Sequence, residues 1–303
     1  MFIVESFYNL KKKITKFWCD YFTVEGEYTS LLPDKIYLKK LYKKRLGKEL
    51  NLKKPEGFTE KLNWLKLYNR RPEYTIMADK YAVRKFISDK IGEEYLIPLI
   101  GYWNSPDEID FSLLPDKFVL KCNHDNGVII CKDKSTLDVD KTKKELSLHL
   151  SRDYYKKRRE WVYKNIPRKI VCEAYIKDDT CNDLIDYKFY CFDGKVKLVL
   201  VATERATSVK FNYFDKDFKP VSFTQGYQKS ERKIYKPKNY ETMVLLAEKL
   251  SMGIPHVRVD FYNIEGKIYF GEMTFFDGAG FEMFEPPQWE KKIGDWITLP
   301  KKI

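Results

Sequence analysis

Twice in its C-terminal half the chain alternates aromatic and β-branched residues with polar ones around a glycine-bearing turn. "DYKFYCFDGKVKLVLVATE" turns at Asp193-Gly194, and "RVDFYNIEGKIYFGEMTFFDGAG", from Arg258 to Gly280, turns within "NIEG". A period of two on either side of a tight turn is the mark of antiparallel strands. Any fold of this chain must therefore hold a hairpin-rich sheet. "YLIPLIGYW", "FVLKCNHDNGVIICKD", "RKIVCEAYI" and a strand pair in "TSVKFNYFDKDFKPVSF" add further strands. Helical spacing predicts helices over Thr59 to Tyr68, Thr75 to Lys90, "LDVDKTKKELSLHLSRD" and Tyr240 to Leu250. Strands grouped with interspersed helices predict α+β lobes rather than a doubly wound sheet.

Before these strands, residues 1–71 read as a helical, basic region. "FYNLKKKITKFWCDYF" places Phe7, Leu10, Ile14, Phe17 and Tyr21 on one helical face with lysines between them. That face suits docking on the protein's own core or on a membrane surface. Two lobes are expected to follow, over 72–182 and 183–303. No apolar run is long enough to cross a membrane. The start carries Glu5 and no small-residue cleavage site, so a cytoplasmic protein is expected. Six cysteines without a C-x-x-C pair and only three histidines, His124, His149 and His256, argue against a disulfide frame or a zinc site. The net charge of +12 suits an anionic partner or a solvated lysine-rich surface, and does not distinguish them.

The second hairpin carries acids inside its strands. A three-residue loop, Ile264 to Gly266, sets Asn263 opposite Lys267 and Arg258 opposite Glu272, which puts Arg258, Asp260, Glu272 and Thr274 on one face. Two adjacent carboxylates repel unless a cation joins them, and Mg2+ is held by one or two carboxylates with phosphate oxygens and water. The same residues also describe a cross-strand salt bridge on a solvated sheet. Two more segments bear on the choice. In "FVLKCNHDNG", Lys121 ends an apolar strand before a polar loop containing Gly127, a way to hold phosphates with one charge and backbone N–H groups. In "VCEAYIKDD", an apolar strand ends at Glu173, and Ala174, Tyr175 and Ile176 follow as a candidate lining for a purine, with Glu173 or Asp183 toward the ribose or amino group. Neither a P-loop nor a dinucleotide-binding glycine motif occurs.

Taken together, "FVLKCNH…G…IICKDKS", "DYKFYCFDGK" and "RVDFY…GKIYFGEMTFFDGAG" resemble the TupA-like ATP-grasp proteins of bacterial surface-polysaccharide loci, from about Asp79 to Trp289. The resemblance implies an ATP-grasp fold, two α+β lobes clamping ATP. It also implies Mg2+-dependent joining of a carboxylate to an amine through an acyl phosphate. Carried onto this chain, Lys121 would bind the α/β phosphates with Lys80 nearby, Gly127 would let the loop close, and Glu173 to Ile176 would meet adenine. Asp260 and Glu272 would hold magnesium. Arg258 would steady the acyl phosphate, and Lys188 and Lys210 would contact phosphate. Thr274 stands where many ATP-grasp proteins have asparagine.

Arg205, Lys210 and His124 are candidates to receive an anionic acceptor. The expected partners are a carboxylate and an amine, on a sugar acid, an amino acid or a lipid-linked glycan. Nucleic acid is not expected, because the aromatics lie in apolar strand patterns rather than interleaved with basic residues. Two alternatives remain at this point: a kinase on the same fold with a hydroxyl acceptor, and a basic protein that binds anionic polymers.

Overall fold

The computed structural model describes residues 23–24, 30–178, 184–205 and 207–302. The N-terminal helix expected around Phe7 to Tyr21, with its membrane contact, lies outside these residues, as does Asp183. Among the described residues no helix is long and apolar enough to cross a membrane.

Helices α1 (Asp34–Leu46) and α2 (Phe58–Tyr68) come first. Gly47 stops α1 at φ +68°, where its N–H reaches the Lys43 carbonyl, a left-handed cap that glycine adopts without penalty. The single helix expected from Thr75 to Lys90 is two, α3 (Glu73–Ala78) and α4 (Val83–Ile91). The break is at Asp79, whose Oδ1 accepts the Tyr81 N–H and the Asn123 amide, each at 2.8 Å. Asp79 thus draws the chain away from helical hydrogen bonding and ties it to a strand loop.

Strands β1 (Leu99–Trp103), β2 (Phe118–Cys122), β3 (Val128–Cys131) and β4 (Ile170–Ala174) form an antiparallel sheet in the order β1-β4-β2-β3. One of its faces packs a small core of Phe118, Leu120, Cys122, Cys131, Ile170 and Cys172. Helix α5 (Val139–Ser151) covers that core through Leu146, and Asp138 caps the helix by accepting the Lys141 N–H at 2.9 Å. The short helix α6 (Tyr154–Arg158) follows.

The second sheet holds β5 (Asp186–Phe192), β6 (Lys195–Thr203), β7 (Lys210–Asp215), β9 (Val257–Ile264) and β10 (Lys267–Thr274), in the order β10-β9-β5-β6-β7. The β5–β6 turn is Asp193-Gly194 as predicted, both with positive φ, the two-residue geometry that matches strand twist. The strand pair expected after Thr207 is reduced to β7. Pro220 lacks the N–H that a ladder needs and makes an isolated bridge to Phe214. The next strand, β8 (Thr224–Gln225), pairs instead with β11 (Phe284–Glu285). One face of the five-stranded sheet packs on α7 (Tyr240–Ser251) through Phe189, Val199, Val259 and Phe261 against Met243 and Ala247. Each such side chain withdrawn from water contributes about 1.5–3 kcal/mol.

The cores do not follow the boundaries expected at residues 71 and 182. Tyr37, Leu41, Phe58 and Leu62 from α1 and α2, and Val83 and Ile87 from α4, belong to the same core as the five-stranded sheet. So do Tyr155, Trp161 and Val162. Helix α8 (Gln288–Gly294) closes this larger body, with the Lys61 ammonium on the Gly294 and Ile297 carbonyls, both at 2.9 Å.

Candidate active site

The face of the five-stranded sheet turned away from α7 carries the charges. The β9–β10 turn is Glu265-Gly266, a two-residue loop with both φ values positive, so Lys267 pairs with Ile264 rather than Asn263. By itself that register sends Glu272 to the face opposite Asp260. Gly271 prevents this, because the ladder shifts between Phe270 and Glu272. Beyond the shift Glu272 pairs with Asp260, and Thr274 with Arg258. The expectation of one shared face holds, whereas the three-residue loop and the Arg258–Glu272 pairing are corrected. A Cβ at Gly271 would stand 3.1 Å from the Asp260 carbonyl oxygen, the close backbone approach that favours glycine at a bulge.

Arg258 is the hub. Its Nε and Nη2 donate to the two oxygens of Asp260, each at 2.8 Å, and Nη2 reaches Glu272 Oε1 at 3.2 Å and Thr274 Oγ1 at 3.1 Å. Its Nη1 donates to Asp277, whose other oxygen accepts the Tyr190 hydroxyl at 2.8 Å. From β5, Lys188 puts its ammonium 2.5 Å from both Asp260 and Asp186, and Arg205 donates to Asp186 at 2.7 Å. Burial works against the charge of Lys188, but Asp186 and Asp260 outweigh it and raise its pKa. Burial likewise opposes the charge of Glu272. Lys188, then Arg258 and Lys80, overcome it and hold the carboxyl down at about 2. Glu272 is the open member of the set, with its side chain 44% exposed, whereas Asp260 is fully buried.

The four-stranded sheet presents its own face opposite the small core. There Lys121 donates to Glu173 at 2.6 Å, and Arg84 of α4 donates to the other oxygen of the same carboxylate at 3.1 Å. Around them stand Tyr102, Val128 and Ile130, 47%, 44% and 56% exposed. The loop after Lys121 is tied down: Asn123, His124 and Asp125 are buried, and Asp125 accepts the Gly127 N–H at 2.7 Å and meets His149 at 2.5 Å. A Cβ on Gly127 would run into the His149 ring, so the glycine here serves close packing. Lys80 leaves the break between α3 and α4 and donates to the Asp125 carbonyl at 2.5 Å. Burial lowers its pKa, Glu272 of the other sheet raises it, and Lys121 lowers it. Lys80 therefore lies where the two charged faces meet.

Of the residues picked from sequence, Arg258, Asp260, Glu272, Thr274 and Lys188 form one network, and Lys121 and Glu173 a second. Lys210 is in neither. Its pairing with Thr203 puts it on the α7 side of the sheet, and its ammonium is hydrogen-bonded to Gln228 at 2.7 Å. His124 is buried with Nε2 3.2 Å from the Arg152 carbonyl, not turned to an anion. In the purine segment the Ala174 N–H is taken by the Pro98 carbonyl at 2.9 Å, which leaves Tyr175 and Ile176 to offer backbone groups. Sequence reasoning missed Asp186, Asp277 and Arg84. Asp277 was visible as an acid between aromatic and glycine residues in "FFDGAG", while Arg84 is brought in only by the helix break.

Comparison with known proteins follows this geometry. No curated protein matches the sequence. Among solved structures, D-alanine–D-alanine ligase from Bacillus anthracis complexed with ATP aligns with TM-score 0.39 and 19% identity over 66% of this chain and 55% of that one. L-amino acid ligase from Bacillus licheniformis aligns with TM-score 0.44 and 12% identity over 82% of this chain and 56% of that one. The chain thus spans a little over half the length of these ligases. The family model for TupA-like ATP-grasp proteins matches residues 60–298, which include most of α2, both sheets and every residue of the two charged networks. The chain belongs to the TupA-like ATP-grasp family.

Proposed function

We propose that this protein is an ATP- and Mg2+-dependent carboxylate–amine ligase that makes an amide through an acyl phosphate. Its substrate is a sugar acid or amino acid used in surface-polysaccharide assembly. The observation that carries the reading is the meeting of two charged faces at Lys80, one holding Arg258, Asp260 and Glu272, the other Lys121 and Glu173. Exposed Tyr102, Val128 and Ile130 offer a flat apolar surface to adenine, and Lys121 and Lys80 offer charge to the phosphates.

The donor set fits magnesium. Asp260 and Glu272 pair across the strands with the Thr274 hydroxyl beside them. Among the described residues no group of three or more acidic, histidine or cysteine ligands could hold an ion alone. Mg2+ needs no such cage, since it takes one or two carboxylates and completes its shell with phosphate oxygens and water. When bound it neutralises charge on the transferring phosphoryl group. Arg258, fixed on three sides, cannot swing away as charge develops on the acyl phosphate, and such preorganised donors stabilise a transition state without reorganising.

The test is ADP and phosphate release by the purified chain with ATP and Mg2+, screened over amino acids and sugar acids with and without an amine. Amine-dependent release and an amide product by mass spectrometry are expected, with activity lost in the Asp260→Asn, Glu272→Gln double variant. Undiminished turnover by that variant would sink the proposal, and a stable phosphoester product would replace it with a kinase.

A further inference from the structure

Helix α1 has two unlike faces. Tyr37, Leu38, Leu41 and Tyr42 are buried. The Tyr42 hydroxyl lies 2.9 Å from Thr59 Oγ1, and its ring meets Phe281 with centroids 6.3 Å apart. Phe281 follows the turn that begins at Asp277, so α1 is braced on the segment that serves Arg258. The one acid of the helix is spent on the protein itself. Asp34 accepts from Arg70 at 2.6 Å and from the Tyr155 hydroxyl at 2.5 Å, and the Arg159 Nε lies 3.4 Å away.

The other face is cationic. Lys35, Lys39, Lys40, Lys43, Lys44 and Arg45 are all exposed. At 3.6 residues per turn, Ile36, Lys39, Lys40 and Lys43 fall opposite the four buried side chains. Lys43 meets Glu49 at 2.6 Å, but the two side chains are 67% and 72% exposed, and ion pairs so placed hold weakly. The cations run for about 15 Å along the helix axis, too far for one phosphate or carboxylate to answer. Two apolar side chains stand among them: Ile36 is 47% exposed, and Leu31, just before the helix, is 57% exposed.

We infer that this face of α1 docks on an anionic lipid surface. The inference does not depend on the ligase reading. An extended layer of negative headgroups complements a row of cations, and hydrocarbon beneath it takes up Ile36 and Leu31. A soluble polyanion would answer the charges but offer nothing to the two apolar side chains. Five of the six cations are lysines, whose stems can lie along apolar ground while the ammonium stays at the headgroups. Recognition of nucleic acid favours arginine instead. The chain's own first segment is a poor cover for this face, because it brings Lys11, Lys12, Lys13 and Lys16 of the same sign. Through Tyr42 and Phe281, docking would hold the Arg258 network at the membrane surface.

The test is co-sedimentation of the full chain with vesicles of phosphatidylcholine and phosphatidylglycerol, against vesicles of phosphatidylcholine alone. Binding to the anionic vesicles only is expected. It should fall as salt rises from about 0.1 to 1 M and the screening length shrinks from about 10 to 3 Å. Each cation near an anionic bilayer is worth roughly fivefold in partitioning. The Lys39→Gln, Lys40→Gln, Lys43→Gln triple variant should therefore bind about 10²-fold more weakly, with Tm unmoved because all three side chains are exposed. Ile36→Ser should weaken binding by a few-fold through lost apolar burial. A control removes the same charge elsewhere, as Lys229→Gln, Lys233→Gln, Lys238→Gln in the exposed loop before α7, and should bind nearly as the wild type does. No binding by the wild-type chain overturns the inference. So does undiminished binding by the α1 triple variant, which gives the contact to another segment, or equal loss in the control, which leaves net charge alone. Soluble polyglutamate or RNA that binds through the same three lysines, more tightly than the vesicles and without regard to Ile36, assigns the face to a polymer instead.

Discussion

On the five-stranded sheet each charge is answered by another from the protein itself: Arg258 by Asp260, Asp277 and Glu272, and Lys188 by Asp186 and Asp260. On the four-stranded sheet a single carboxylate, Glu173, is shared by Lys121 and Arg84, and the ground around it is apolar and exposed. Two sheets of one chain thus treat charge differently. In the first, desolvated ions fix one another, so removing one leaves its partners buried with less countercharge. In the second, one carboxylate and its two cations stand beside exposed apolar side chains. Under the proposed ligase reading, this contrast becomes rigidity where bonds are made and an open grip where the nucleotide is held.

Removing one cation from each sheet would break or sharpen the comparison. Arg258→Met should have the largest effect, destabilising the fold by about 3–5 kcal/mol because buried Asp277 is left with the Tyr190 hydroxyl in place of a cation and buried Asp260 must share Lys188 with Asp186, read as a drop in Tm. A small Tm change there would mean the network is looser than its distances imply. Lys121→Met should cost much less stability, since Arg84 still holds Glu173. It should weaken ATP binding by roughly 10–100-fold, the scale of one lost charge-assisted bond, measured by calorimetry. If Lys121→Met unfolds the protein, the contrast between the sheets fails. Ile130→Ser is the mildest change: a few-fold loss of ATP affinity with Tm unmoved, since the side chain is already exposed.

Much of this was legible beforehand, for physical reasons. Alternation with a Gly turn revealed both long hairpins, and residue types with charge made Arg258, Asp260, Glu272 and Lys121 stand out. What escaped was whatever depended on a local break in regularity. The two helices at 73–91 look continuous by periodicity, and only the capture of Asp79 by Asn123 interrupts them. Lys210 is drawn in by its charge, yet its strand position turns it to the other side. The bulge at Gly271 did leave a trace. Ile268 and Phe270 are two apart, Met273 comes three later, and all three are buried; the slipped spacing falls around a glycine.

That bulge makes the hairpin's geometry a matter of parity. For Asp260 and Glu272 to look the same way, the residues left unpaired between them must be odd in number, wherever they sit. Here the tip contributes Glu265 and Gly266, and the strand contributes Gly271. Moving the extra residue from strand to tip would conserve the active face, whereas losing or gaining a single residue anywhere in the loop would invert it. The hairpin can therefore change length only in steps of two, or by paired compensating changes, and the tip and the glycine are bound to vary together although they never touch the reaction.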